Sequence, residues 1–176
     1  CRRSRGVGRR GCLSVVGVGV GLAPRVRGVG ESAGPESALA RAWRESGFFY
    51  VIDHGIDLAL FERLEALCRS FFAQPHEQKM RLRMELAGRA WRGYFPVGAE
   101  LTSGNPDQKE GLYFGSELRD DHPKVVAGVP LHGANLFPEL DGFRETVLTY
   151  LDQMTQLGNS LMRGLALVLD LEASEF

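Results

Sequence analysis

Segments with the composition of β-strands are few in this 176-residue chain, and they lie far apart in the sequence. The clearest is the aromatic and β-branched run 48–52, which stops at a polar turn before Gly55. Shorter strands are predicted near the end of 89–96 and around 112–114. Isolated strands of this kind do not form a self-contained sheet. The pattern therefore predicts an α+β fold that is rich in helix and needs a further element to pack against.

Most of the remaining folded sequence has apolar residues at the three- and four-residue spacing of amphipathic helices. A first helix is predicted to end at Gly47, because glycine readily adopts the left-handed cap. Asp57 is predicted to cap a second helix, and Pro75 suits the first turn of a third. The predicted helices are 36–46, 57–73, 76–86 and 138–171.

The sequence also predicts features within and between these helices. The charged residues of the third helix, Lys79 among them, predict a solvated face. In the long fourth helix, Gly158 and Gly164 favour close packing of another element or allow a break. The cluster 103–106, Ser-Gly-Asn-Pro, predicts a turn, and 120–135 has the composition of a loop.

The first 35 residues differ in composition from the rest. Residues 1–30 carry seven arginines and no acidic residue, whereas 31–176 carry 14 basic and 22 acidic residues. Without regular periodicity, 1–35 is predicted to be a disordered Arg/Gly-rich leader, followed by a folded domain over 36–176. Because Cys1 stands where an initiating Met is expected, we expect that the true amino terminus is missing or that the reading frame comes from an incomplete gene. An Arg-rich leader also resembles a transit peptide, which leaves an organelle as the alternative to a cytoplasmic location.

Several classes of function are disfavoured by the same features. No run of about 18 apolar residues is present, so no membrane span is expected. Nucleic-acid binding is not expected, because the leader lacks interleaved aromatic residues and the folded part is acidic. The glycines Gly6, Gly8 and Gly11 fit the spacing of a dinucleotide-binding loop, but they precede a possible strand instead of following it. A dinucleotide-binding domain is therefore only a remote alternative.

Four groups of segments, in order along the chain, carry a family resemblance. They are 46–56 (SGFFYVIDHGI), 71–72 with 75–79 (FF, PHEQK), 92–95 with 109–111 (RGYF, KEG), and 131–138 with 142–144 (LHGANLFP, GFR). Together they resemble the amino-terminal region of the isopenicillin N synthase-like iron(II)- and 2-oxoglutarate-dependent oxygenases, over about 36–171.

The resemblance implies that a double-stranded β-helix, or jelly roll, follows this region. In the family that core supplies His-x-Asp and a distant His to iron(II), and in many members an Arg-x-Ser to 2-oxoglutarate. None of the four histidines here is followed two residues later by an acid, and Arg2-Arg3-Ser4 precedes every histidine. No catalytic, metal-binding or cofactor-binding residue is therefore assigned. We expect an inactive fragment whose parent oxidises a small organic substrate with O2, and whose β-helix half lies beyond Phe176.

The resemblance also suggests which residues approach the substrate. The segment with Arg92 and Tyr94 corresponds to one near the active-site mouth, so both are candidate substrate-binding residues, with a guanidinium for a carboxylate and a hydroxyl beside a ring. The alternative is a surface charge for Arg92 and packing for Tyr94. Lys109 and Glu110 are interpreted as a structural ion pair or as loop-steering residues, without a catalytic role. A non-catalytic binding module derived from the family remains the second functional hypothesis.

Overall fold

The computed structural model describes residues 19–21, 35–45 and 47–175. The chain divides into two units, one formed by Cys1–Gly55 with Ser160–Phe176 and the other by Ile56–Asn159. Among the described residues, none of the helices combines the length and the apolar character needed to cross a membrane.

Helices provide most of the regular structure, as the sequence predicts. The α-helices are α1 (Pro35–Glu45), α2 (Leu58–Phe72), α3 (His76–Lys79), α4 (Pro123–Val126) and α5 (Phe143–Val168), and 3-10 helices span Met80–Leu82 and Met84–Ala90. The strands are β1 (Gly19–Gly21), β2 (Tyr50–Ile52), β3 (Gly93–Phe95), β4 (Leu101–Thr102), β5 (Asn105–Pro106) and β6 (Gly111–Tyr113). The strands form three separate two-stranded ribbons, so the expected helix-rich α+β character is confirmed.

The first unit contains α1, the pair β1 and β2, and the carboxyl end of α5. The predicted end of α1 is confirmed, because the amide of Gly47 donates to the carbonyl of Ala42 at 3.1 Å. Close packing at Gly164 is also confirmed, since a Cβ there would lie 3.3 Å from a methyl of Leu39. The parallel strand β1 was not predicted, and the rest of the predicted disordered leader lies outside the described residues.

In the second unit, the start of α2 is the predicted one. The Asp57 carboxylate accepts the amide of Ala59 at 3.0 Å, which satisfies one of the unpaired donors at the helix start. At the other end of α2, the amide of Ala73 donates to the carbonyl of Arg69 at 3.0 Å. Phe71, in the last turn, has no exposed surface and lies at the centre of the core. Aspartate capping and apolar spacing therefore set both the length and the buried face of this helix.

The prediction of one continuous helix over 76–86 is wrong. The α-helix ends at Lys79, and Arg83 has an extended backbone with ψ of 144° between the two 3-10 segments. There Arg83 forms a bridge with Tyr94 of β3, a tertiary contact that replaces the helical hydrogen bonds. Lys79 is only 7% exposed, so its predicted place on a solvated face is also wrong.

Two further predictions concern connecting segments. Thr102 pairs with Asn105 across a two-residue turn of Ser103 and Gly104, both with positive φ, which confirms the turn predicted there. The segment 120–135 is less loop-like than predicted, because it contains α4. His122 caps α4 by accepting the amide of Lys124 at its Nδ1 atom, 3.2 Å away.

The core of the second unit is aromatic. Its buried members are Phe71, Tyr94, Phe143 and Val147. Phe71 contacts both Tyr94 and Phe143 edge-on, with ring centroids 6.0 and 6.3 Å apart. Edge-to-face geometry of this kind stabilises aromatic pairs beyond the burial of their area. The predicted apolar stripe of α5 thus contributes its first turns to a core that also needs α2 and β3.

Gly93 is the glycine at which an added side chain should be least tolerated. Its φ is +110°, and a Cβ there would overlap the backbone carbonyl oxygen of Leu82. We expect Gly93→Ala to lower the free energy of unfolding by about 1–3 kcal/mol, measured by urea denaturation. Gly104→Ala is the control, because Gly104 also has a positive φ, +80°, but open space around it. Equal losses in the two variants would contradict a steric origin at Gly93.

Candidate functional site

The ribbon of β3 and β6 places Tyr94 inside the second unit. Tyr94 pairs with Leu112, and only 1% of it is exposed. Its hydroxyl donates to Oε2 of Glu110 at 2.5 Å. Burial, followed by the hydrogen bond and the charge of Glu110, raises the pKa of Tyr94 to about 12. Tyr94 is therefore a neutral hydrogen-bond donor that holds a carboxylate.

The same carboxylate binds Lys79. The Nζ atom of Lys79 lies 2.7 Å from Oε2 of Glu110, donates to the carbonyl of Phe72 at 3.3 Å, and lies 5.5 Å from the ring centroid of Tyr94. The hydrogen bonds from Lys79 and Tyr94 lower the pKa of Glu110. Lys79, Glu110 and Tyr94, which we call the buried triad, therefore link α3 to the β3–β6 ribbon through one charged centre.

The sequence predicts only part of this triad. Tyr94 follows from the family resemblance, and Glu110 is predicted to form a structural ion pair or to steer a loop, whereas the charge pattern places Lys79 on a solvated face. Residues 79 and 110 are 31 positions apart, so no local pattern relates them.

Arg92, the other predicted substrate-binding residue, has different partners. Its two terminal nitrogens donate to the carbonyls of Ala90 and Leu131, each at 2.9 Å. Its guanidinium also packs closely over the backbone of Gly115. The Nε–H is buried and has no acceptor within the described part of the chain. Arg92 thus fixes the approach to β3 against the segment around 131, and the structure does not bring it to a partner shared with Tyr94.

The predicted ion pair between Lys109 and Glu110 is wrong, because each of them binds other partners. Lys109 lies 3.0 Å from Glu100 and 3.1 Å from Asp107, whereas Glu110 binds Lys79. The hydrogen bonds that Lys109 donates to Glu100 and Asp107 raise the pKa of Lys109. Tyr113 also donates to Glu100, at 2.8 Å. Neighbouring residues in the sequence therefore serve two different clusters.

The histidines have local or peripheral roles. The Nδ1 atom of His132 lies 2.8 Å from the carbonyl of Pro130, a contact within its own turn. His122 caps α4, and His76 is exposed with its ring 6.4 Å from that of Tyr94. Within the described residues, no three His, Cys, Asp or Glu side chains are grouped so that they could hold a metal ion. These residues do not fit a mononuclear iron centre.

Comparison with known proteins identifies the family. Residues 35–140 match a family of amino-terminal domains. Its description is "non-haem dioxygenase in morphine synthesis N-terminal". A probable iron/ascorbate oxidoreductase of Dictyostelium discoideum is 53% identical over 146 residues, covering 78% of this chain and 40% of that protein. A 1-aminocyclopropane-1-carboxylate oxidase of Dictyostelium mucoroides is 36% identical over 146 residues, covering 78% and 38%.

Solved structures show the same fold. A 2OG-Fe(II) oxygenase family protein from Caulobacter crescentus superposes with a TM-score of 0.65 at 26% identity, covering 78% of this chain and 44% of that one. A full-length Neurospora crassa protein solved in complex with alpha-KG gives 0.63 at 26% identity, covering 81% and 43%. The chain spans about two fifths of the length of the curated relatives it matches. It belongs to the family of iron(II)- and 2-oxoglutarate-dependent oxygenases and corresponds to their amino-terminal region.

Proposed function

We propose that this chain is the amino-terminal part of an oxygenase that uses iron(II) and 2-oxoglutarate to oxidise a small organic substrate with O2. We further propose that residues outside 1–176 supply the iron ligands, so that the chain alone is inactive. One observation carries the proposal: residues 35–140 match the amino-terminal region of the family, and the described residues contain no group of side chains that could hold a metal ion. When bound in the parent protein, the iron would activate dioxygen.

The carboxyl end of α5 and the residues just after it support the proposal that another part of the protein packs against this one. Four large apolar side chains there are 38–53% exposed: Met162, Leu167, Leu169 and Leu171. Apolar surface that is contiguous and rimmed by polar residues commonly marks an interface. We propose that a β-helix half of the parent protein covers these side chains.

Arg92 and Tyr94 are proposed to face the substrate side of this part. The support for Arg92 is its Nε–H, which has no acceptor among the described residues and could serve a carboxylate. Tyr94 would contribute the face of its ring, because its hydroxyl is already donated to Glu110. Lys79 and Glu110 would then act by positioning Tyr94.

The test compares residues 1–176 with the same chain extended by its downstream gene sequence. We expect the extended chain to bind one iron and to convert 2-oxoglutarate to succinate in an iron-dependent reaction, and the short chain to do neither. Metal analysis and succinate release are the two measurements. A matched control replaces the histidine of the His-x-Asp expected downstream with alanine, which should abolish both.

Other outcomes would decide between the alternatives. Stoichiometric iron binding and turnover by 1–176 alone would refute the proposed division of labour. A downstream sequence without His-x-Asp, together with no iron binding by the extended chain, would favour a non-catalytic binding module. Iron-dependent oxygen uptake without any need for 2-oxoglutarate would retain the iron and remove the cosubstrate from the proposal.

A further inference from the structure

A cavity of about 290 Å³ lies on the second unit, between the 3-10 segment Met84–Ala90 and the stretch that follows β3. Its apolar walls are formed by Met84, Trp91 and Phe95, with Tyr94 behind them. Pockets for drug-sized ligands begin at roughly 300 Å³. This cavity therefore suits a group about the size of one amino-acid side chain.

Trp91 is the unusual residue of this cavity. It is 59% exposed, and its backbone is left-handed, with φ of 56° and ψ of 51°. A bulky non-glycine residue in this conformation is strained by on the order of 1–2 kcal/mol. Burial of the indole does not compensate, since most of it remains in water. A strained, exposed tryptophan beside a cavity is typical of a residue kept for contact with a ligand.

The charges that line the cavity are negative. Glu85 and Glu100 are its two ionisable carboxylates, and the described lining contains no lysine, arginine or histidine. Glu100 is balanced by Lys109 at 3.0 Å. Glu85 forms no ion pair with any described residue, so its charge is available to a ligand.

No described arginine forms an ion pair with either carboxylate of the lining. Three nearby arginines donate instead to backbone carbonyls: Arg83 to Met80, Arg89 to Gly128, and Arg92 to Ala90 and Leu131. A cavity with an available carboxylate, a thioether and aromatic faces is complementary to a positively charged organic group.

We propose that this cavity binds an organic cation, a guanidinium or alkylammonium group carried by a small molecule. The cation would lie against the indole of Trp91, with the carboxylate of Glu85 as its counter-charge. The ring of Tyr94 belongs to the lining, but the counter-charge is not that of the buried triad, whose carboxylate already binds both Lys79 and Tyr94. Binding is measured without turnover, so the test is independent of the proposed oxygenase activity.

The experiment uses Trp91 as its own probe. Trp43 is the other of the two tryptophans, so Trp43→Phe in the full chain leaves Trp91 as the one emitter. The chain is titrated at constant ionic strength with ethylguanidinium and, in parallel, with ethylurea, which has nearly the same shape and no charge. We expect a saturable change in emission with ethylguanidinium and none with ethylurea. Binding of tetramethylammonium would extend the site to ammonium groups, whereas its failure to bind would restrict the proposal to guanidinium.

Charge and ring are then changed separately. Glu85→Gln is expected to weaken ethylguanidinium binding by about fivefold or more, and Glu77→Gln, an exposed acid outside the cavity, should leave it unchanged. Trp91→Leu, followed by NMR in place of fluorescence, is expected to weaken binding by about threefold. Thermal melts confirm that each variant is folded. A response equal to that of ethylurea, a response that does not saturate, or full binding by Glu85→Gln would overturn the proposal.

Discussion

Replacing Glu110 with alanine is expected to lower the free energy of unfolding by about 2–4 kcal/mol, because the Glu110 side chain, itself 27% exposed, is the acceptor for two buried donors. The side chain of Lys79 is 9% exposed, and without Glu110 its ammonium retains only the carbonyl of Phe72 at 3.3 Å. The same change leaves the hydroxyl of Tyr94, a residue only 1% exposed, without its acceptor. Two buried donors thus lose their partner in a single substitution. Urea unfolding of the chain measures the effect.

The control for Glu110→Ala is the same substitution in an exposed ion pair. Glu65 contacts Arg69 one turn later in α2, and their side chains are 63% and 78% exposed. Solvent-exposed pairs of this kind contribute about 0.2–1 kcal/mol, so Glu65→Ala should have a small effect. The double variant Lys79→Met with Glu110→Leu should recover the part of the loss that comes from the unpaired ammonium, while the hydroxyl of Tyr94 still lacks its acceptor. If Glu110→Ala were no more harmful than Glu65→Ala, the triad would not hold the fold.

The acid response should show the same interaction. Because Lys79 and Tyr94 lower the pKa of Glu110, the folded chain binds a proton there less readily than the unfolded chain. The contribution of Glu110 is then complete above its ordinary pKa of 4.5 and is lost as the pH falls through the lower folded value. Glu110→Gln should remove this part of the acid dependence, which is measured as urea midpoints over an acidic pH series.

Local rules account well for the features that depend on neighbouring residues. Asp57 caps α2, the amide of Gly47 closes α1, and Ser103 with Gly104 forms the predicted hairpin turn. Each of these depends on the backbone and side chains of a few consecutive residues. The apolar repeat likewise predicts α5, whose length allows many turns to reinforce one face.

The errors occur where distant segments meet. The helix predicted over 76–86 is interrupted at Arg83, because Tyr94 of β3 offers a bridge that the local sequence does not encode. Lys79 is buried because it pairs with the carboxylate of Glu110. That residue lies directly before β6 and follows the β4–β5 hairpin in the sequence. The candidate site is therefore only partly predictable. Arg92 and Tyr94 follow from the family resemblance, whereas the contact of Tyr94 with Glu110 is seen only in the structure.

Replacing Phe71 with alanine is the second change expected to have a large effect, a loss of about 3–5 kcal/mol in the free energy of unfolding. Phe71 has no exposed surface, and its ring contacts those of Phe72, Tyr94 and Phe143 at centroid distances of 5.1–6.3 Å. Removal of the ring leaves a cavity that these rigid neighbours fill poorly. Urea unfolding followed by near-ultraviolet circular dichroism reports both the stability and the packing of the aromatic rings.

Two variants separate the volume of Phe71 from other causes. Phe71→Leu keeps most of the apolar volume, so its loss should stay below about 1.5 kcal/mol if packing is what matters. Phe48→Ala makes the same chemical change at a side chain that is 51% exposed and should cost less than about 1 kcal/mol. If Phe71→Ala itself has no cooperative transition, Phe71→Leu still gives a measurable value. Similar losses for Phe71→Leu and Phe71→Ala, or for Phe48→Ala and Phe71→Ala, would show that the second unit does not depend on this aromatic core.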